Sequence, residues 1–100
     1  MKRYTSFREF YPFYLSEHAN RTCRRLHFVG SLLVLAIIFL AMATADARWL
    51  WLAPFAGYGF AWAGHFFFEK NRPATFTHPL YSLLGDWAMF WDILNRRVRL

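Results

Sequence analysis

Residues Phe28 to Ala45, FVGSLLVLAIIFLAMATA, carry no charge over eighteen consecutive positions. At about 1.5 Å per helical residue that run comes close to the hydrocarbon thickness of a bilayer, so it reads as a spanning helix. A short connection, Asp46-Ala47-Arg48, leads to Trp49 to Phe68, twenty residues whose only ionisable group is His65. This second run reads as a second span, with Pro54 near its start and Gly57, Gly59 and Gly64 allowing close helix contact. Composition agrees, since 57% apolar and 22% aromatic residues in a 100-residue chain exceed what one soluble domain can hide. The expected unit is a single membrane-embedded domain over residues 1–100.

The flanks are helical by pattern. Phe7, Phe10, Tyr11 and Tyr14 recur at helical spacing beside Arg3, Arg8 and Glu9, as in an amphipathic helix lying in the interface, with Pro12 placed to bend or restart it. Pro79 can open a last helix through LYSLLGDWAMFWDIL before Arg96, Arg97 and Arg99. The expected fold is all-α: a two-span hairpin with amphipathic or membrane-packed helices at both ends, four helices if both flanks are counted. Ala43-Thr44-Ala45 has the small residues of a signal-peptide cleavage site, but the apolar run before it is longer than the ~7–15 residues of such peptides.

Charge sets the orientation. Arg21, Arg24 and Arg25 precede the first span and Lys70 and Arg72 follow the second, whereas the turn between carries Arg48 against Asp46. By the positive-inside rule both termini are cytoplasmic. The net charge of +6 sits beside apolar segments, which favours anionic membrane lipids over nucleic acid as the counter-charge. Cys23, the only cysteine, has no partner for an internal disulfide and falls on the reducing side as a small half-buried side chain. Two spans bury little by themselves, and a homodimer would add the missing contact.

The same topology gathers all four histidines at one membrane face: His27 at the entrance of span one, His65 at the exit of span two, His18 before and His78 after the hairpin. Imidazole is a common ligand for iron, zinc and copper, and nearby arginines disfavour imidazolium, keeping the rings able to donate a lone pair. His18 and His27 are nine residues apart, about half a turn out of phase on one helix, so they share a metal only if the chain bends between them. Ala19 to Thr22 is the place for that bend, with Asn20 or Thr22 capping the first span. His65 and Glu69 are i and i+4, which makes Glu69 a ligand completing a ferrous site, a salt-bridge partner of Arg72 or a carboxylate that orients a histidine. HExxH, CxxC, Gly-rich phosphate loops and tight histidine boxes are absent, so hydrolase, zinc-ribbon, nucleotide and desaturase readings lack their residues. A haem between His27 and His65 and a noncatalytic protein binding anionic lipid or a partner's spans stay open as alternatives.

Two blocks carry a family resemblance. FYPFYLSEHANRTCRRLHFVG has a Tyr, a His, and a second His nine residues on with a following Gly; GYGFAWAGHFFFEKNRPATFTHPLYSLLGD has Gly-His, Phe-Glu-Lys and Pro-Ala elements. With these the chain resembles the Fe(II)-dependent 2-hydroxy fatty acid dioxygenases of fatty acid α-oxidation in phytosphingosine breakdown, in the form of a short bacterial-type member. The resemblance covers about half the chain. It departs at Cys23, where Asn is frequent, at Ala19 to Thr22, which lacks a proline, and at Ser31, and the fungal enzymes have a longer middle.

The resemblance implies iron-site residues His18, His27 and His65, support from Tyr14 and Glu69, and a place for His78 that matches the short bacterial members. It implies Fe(II) as cofactor, a 2-hydroxy fatty acid and O2 as substrates, loss of one carbon from the acid, and a bacterial inner-membrane location. For such an acid a cation should hold the carboxylate, and Arg21, Arg24, Arg25, Lys70 and Arg72 lie at the right depth, each equally able to serve as a topology signal or headgroup anchor.

Overall fold

A computed structural model describes residues 4–100, so Arg3 of the expected first amphipathic helix lies outside the described residues. Among the described residues all regular structure is helical. Helix α1 spans Phe7–Ser16, α2 Arg21–Thr44, α3 Ala53–Ala63 and α4 Pro79–Leu94.

Ser6 caps α1 by accepting a bond from the Glu9 amide, and Glu9 lies in the first turn, where a carboxylate suits the positive end of the helix dipole. The apolar face of α1 does not lie on a lipid surface as a separate interfacial helix would. Phe10 and Tyr14 are buried in one cluster with Ala74 and with Met89 and Ile93 of α4. Tyr11 donates to Asp92 Oδ2 at 2.6 Å, and the Tyr14 hydroxyl donates to Asp86 Oδ1, so the two helices run antiparallel with polar ties at both levels. Gly85 permits this approach, because a Cβ there would meet the Tyr14 ring at 2.8 Å.

The bend required between His18 and His27 is present. Helix α1 stops at Ser16, and Asn20 restarts the chain as the cap of α2, its side chain accepting from the Thr22 and Cys23 amides at 2.9 and 3.2 Å. Helix α2 runs for 24 residues and ends on Ala45 in the left-handed conformation, with φ 52°. It is long and apolar enough to cross a membrane, and among the described residues no other helix is.

The expected second span is helical but not one α-helix. Residues Ala47–Leu52 form a 3₁₀ segment, α3 supplies only eleven residues, and Gly64–Glu69 continue as a π turn. Pro54 explains the first change: it has no N–H to give the preceding turn, so α geometry begins at Ala53 with the proline in its first turn. Gly30 accounts for the close pairing of α2 with α3, since a Cβ there would lie 3.1 Å from Phe60 Cβ and 3.2 Å from the Ala56 carbonyl oxygen. Helix α4 opens at Pro79, as the sequence indicates.

Candidate metal centre

Three separate features of the chain deliver three imidazoles to one point. His18 stands in the turn after α1, His27 in the second turn of α2, and His65 in the π turn after α3. All three are buried. His18 Nε2 lies 3.0 Å from His27 Nε2 and 2.9 Å from His65 Nε2, and the ring planes meet at 84°, 79° and 88°. The π turn supplies the displacement that an α-helix would not, and such turns recur at functional sites. It is seated by Gly64, where a Cβ would come within 2.9 Å of Cys23 Sγ and 3.1 Å of Cys23 Cα.

The outer nitrogen of each ring fixes its tautomer. His18 Nδ1 donates to the Tyr14 carbonyl at 2.6 Å, His27 Nδ1 to the Cys23 carbonyl at 2.9 Å, and His65 Nδ1 to Asn71 Oδ1 at 2.7 Å. The Asn71 amide is oriented in turn by donating from Nδ2 to the Glu17 carbonyl and carboxylate, both at 3.2 Å. A carbonyl oxygen only accepts, so every Nδ1 carries the hydrogen and every Nε2 presents a lone pair to the shared point. Burial, reinforced by His27 and His65, pushes the His18 imidazolium down to about 2, so its ring is neutral at ordinary pH.

Lone pairs that face each other at 3.0 and 2.9 Å repel unless something positive lies between them. Two nitrogens each about 2.1 Å from one ion lie about 3.0–3.4 Å apart, so both observed separations are short enough for one ion to be shared. The donor set therefore suits a metal ion. The Cys23 thiol belongs to the same group of candidate ligands, all within 4.8 Å of one another. It is fully buried rather than half-buried, and it lies 3.7 Å from His27 Nδ1.

The other expected residues are placed differently. His78 is buried elsewhere: its Nε2 accepts from the Tyr4 amide at 3.1 Å and its Nδ1 lies 2.9 Å from the Thr77 hydroxyl, so the structure does not bring it to the other three. Glu69 ends a π turn and not an α turn, and its carboxylate accepts from the Asn20 amide, tying the segment that carries His65 to the start of α2 without touching a histidine. Asn71 holds the place beside His65 that was expected for Glu69. Tyr14 stacks its ring on His18 at 4.0 Å and lends its carbonyl to the same residue. A haem between His27 and His65 does not fit, because His18 Nε2 occupies the plane a macrocycle would need.

Of the candidate carboxylate holders, Arg24 is committed to the backbone, donating to the His18 and Ala19 carbonyls at 3.2 and 3.0 Å and to the Arg99 carbonyl at 2.7 Å. Arg21 likewise donates to the Leu100 carbonyl at 2.8 Å, and Arg25, Lys70 and Arg72 are exposed. None of the five lines the cavity of about 330 Å³ that adjoins His27 between α2, α3 and α4. The one carboxylate lining it is Asp86, the residue that also accepts from Tyr14. Sequence reasoning missed Asp86 and Asn71. A lone acid inside the apolar stretch Leu83 to Phe90 was the available signal for the first, whereas nothing marked Asn71.

Fold and site together define a small all-helical protein with a buried three-imidazole cluster suited to a metal ion. The chain belongs to the family described as 2-hydroxy-palmitic acid dioxygenase Mpo1-like, whose profile matches residues 4–98. No curated protein and no solved structure matches the chain.

Proposed function

We propose that this protein is a membrane-embedded Fe(II)-dependent dioxygenase that shortens a 2-hydroxy fatty acid by one carbon. The observation that carries the reading is the meeting of three Nε2 lone pairs at 3.0 and 2.9 Å with every Nδ1 donated to a carbonyl. Imidazole suits Fe(II) as well as zinc, and a dioxygenase family favours the ion that reacts with oxygen. The family name supplies the substrate class. The reaction balances with oxygen as sole oxidant: one 2-hydroxy acid and one O2 give the acid one carbon shorter, carbon dioxide and water.

Iron at this point would serve as Lewis acid and as the site of oxygen chemistry. The protein's own contributions are separate from that. His18, His27 and His65 would hold the ion, and the carbonyls of Tyr14 and Cys23 with the Asn71 amide fix the tautomer and the orientation of the three rings. The Tyr14 ring covers one face of His18, and the burial of all three histidines keeps bulk water from them.

Membrane embedding is supported by what the fold leaves uncovered. Phe39, Met42, Trp51, Phe55 and Phe67 are 64–77% exposed on α2 and on the helical run 47–69, an apolar surface that water would penalise and lipid would not. In this reading α2 and the 47–69 run are the spans, both termini are cytoplasmic, and the metal centre lies near the cytoplasmic face.

The test is anaerobic purification of the full chain, Fe(II) loading, and incubation with 2-hydroxyhexadecanoic acid under oxygen. The expected product is pentadecanoic acid, lost with the iron in His27→Ala and His65→Ala. An iron-loaded protein that leaves the acid intact would refute the reaction, and a folded protein that takes up no iron would refute the metal assignment.

A further inference from the structure

The cavity beside the metal centre has a polar end and an apolar body. Its polar end is made by His27, Ser31 and Asp86; its body is lined by Val34 of α2, Gly57 of α3 and Trp87 of α4 among others, and it reaches Ala53 and Leu50. From His27 to Val34 is seven residues of α2, about 10 Å of helix, so the cavity extends from the histidines toward the α2–α3 connection. Leu50 and Leu83 both line it and are both exposed on the apolar surface, at 45% and 43%. It therefore opens sideways where acyl chains would lie, if the protein is embedded as read above.

Asp86 is placed at the polar end by two contacts that the metal centre does not explain by itself. Gly85 lets the Tyr14 ring approach α4, and the Tyr14 hydroxyl then donates to Asp86 Oδ1. Both ion pairs among the described residues, Asp46 with Arg48 and Asp92 with Arg97, lie elsewhere, and no Lys or Arg lines the cavity. A carboxylate facing an apolar channel without a cation is an acceptor for a neutral donor and repels an anion. A hydroxyl fits that place, and a carboxylate belongs at the metal.

We infer that this cavity is an acyl-chain channel and that Asp86 is the residue that recognises the 2-hydroxyl group of the chain's head. The inference rests on the proposed reaction for its choice of ligand. Ser31 and His27 bound the same polar end, the acid head lies toward the histidines, and the alkyl chain runs between α2 and α3 toward Ala53. Length is then set at the Ala53 end and the demand for hydroxylation at the Asp86 end. A plain fatty acid gives half-buried Asp86 no donor beyond Tyr14, and should bind about 10-fold more weakly than the hydroxy acid.

Two measurements test this with the full chain in detergent. In the first, Fe(II)-loaded protein kept free of oxygen is titrated with 2-hydroxyhexadecanoic and hexadecanoic acids while tryptophan fluorescence is recorded. Expected are a response that disappears in Trp87→Phe and a preference for the hydroxy acid that falls to within about threefold in Asp86→Leu, which has no acceptor, and persists in Arg25→Ala. Equal binding of the two acids by wild type, a preference unchanged in Asp86→Leu, or a response unchanged in Trp87→Phe would overturn the assignment. In the second, Ala53→Phe should bind the 16-carbon hydroxy acid at least tenfold more weakly while retaining 2-hydroxyoctanoic acid. An unchanged length profile in a variant with wild-type unfolding behaviour would overturn the channel. Because binding is read without oxygen, selective binding without turnover once oxygen is admitted would refute the reaction and leave the channel standing, and turnover with an unchanged length profile would do the reverse.

Discussion

Gly64→Ala is the smallest change that should disturb the metal centre without touching a ligand. The added Cβ would stand 2.9 Å from Cys23 Sγ, 3.1 Å from Cys23 Cα and 3.4 Å from Cys23 Cβ. The thiol has some freedom to turn, but the Cα belongs to the first turn of α2, so the π turn itself must move by several tenths of an ångström. Overpacking of this kind costs about 1–3 kcal/mol. His65 follows Gly64 directly, and a site held only about 0.5 Å from its best geometry already loses much of its function. The expected result is a lower unfolding midpoint together with Fe(II) or Co(II) affinity reduced about 10- to 100-fold, since displacing His65 also breaks its bond to Asn71. Adding Cys23→Ala relieves the crowding at the sulfur and leaves the crowding at the α2 backbone, so the double variant should recover part of the stability and less of the affinity. Differential scanning fluorimetry and metal titration read the two effects separately. Unchanged stability and affinity in Gly64→Ala would refute the claim that this glycine seats the π turn.

Asn71→Ala should lower metal affinity about 10- to 100-fold with little change in unfolding midpoint, because His65 loses the acceptor that fixes its tautomer; isothermal titration measures it. Burial raises the Asp86 carboxyl from 3.8 to about 6, with the Tyr14 bond opposing the rise, so the native state favours protonated Asp86. Its stabilising contribution is complete below about pH 4 and is lost as pH rises through about 6, a cost of roughly 3 kcal/mol. Asp86→Asn should therefore raise the unfolding midpoint at pH 8 and leave it nearly unchanged at pH 4, a pair of thermal melts that would expose a wrong sign at once. Arg24→Ala should destabilise the turn carrying His18, whose carbonyl it holds, and weaken metal binding, whereas Arg25→Ala and Lys70→Ala should leave binding within about threefold.

The helical class, the α1–α2 break and the convergence of His18, His27 and His65 were legible because each follows from strong local signals. An uncharged run fixes a long helix, Asn20 is a good cap, and two histidines half a turn out of phase demand a bend. The second apolar run was harder to read. Hydrophobicity specifies burial in lipid or protein but not the winding of the backbone, and the 3₁₀, α and π segments in succession arise from Pro54 and from the close approach of Gly64 to Cys23. The i, i+4 argument for Glu69 failed for that reason, since the winding it assumed is absent. His78 shares a membrane face with the other histidines by topology, yet its place is decided by packing against Tyr4, Phe10 and Tyr81, which a count along the chain does not reveal. Asp86 became visible as a site residue only when α4 lay against α1 and α2.

X-ray absorption at the iron edge on anaerobically loaded protein reads whether His18, His27 and His65 bind one metal ion through Nε2. Expected are one iron per chain with three imidazole nitrogens at about 2.1 Å, no sulfur neighbour, and loss of the bound iron in His65→Ala. A sulfur at about 2.3 Å, from Cys23, or a folded chain that binds no iron, would contradict that ligation.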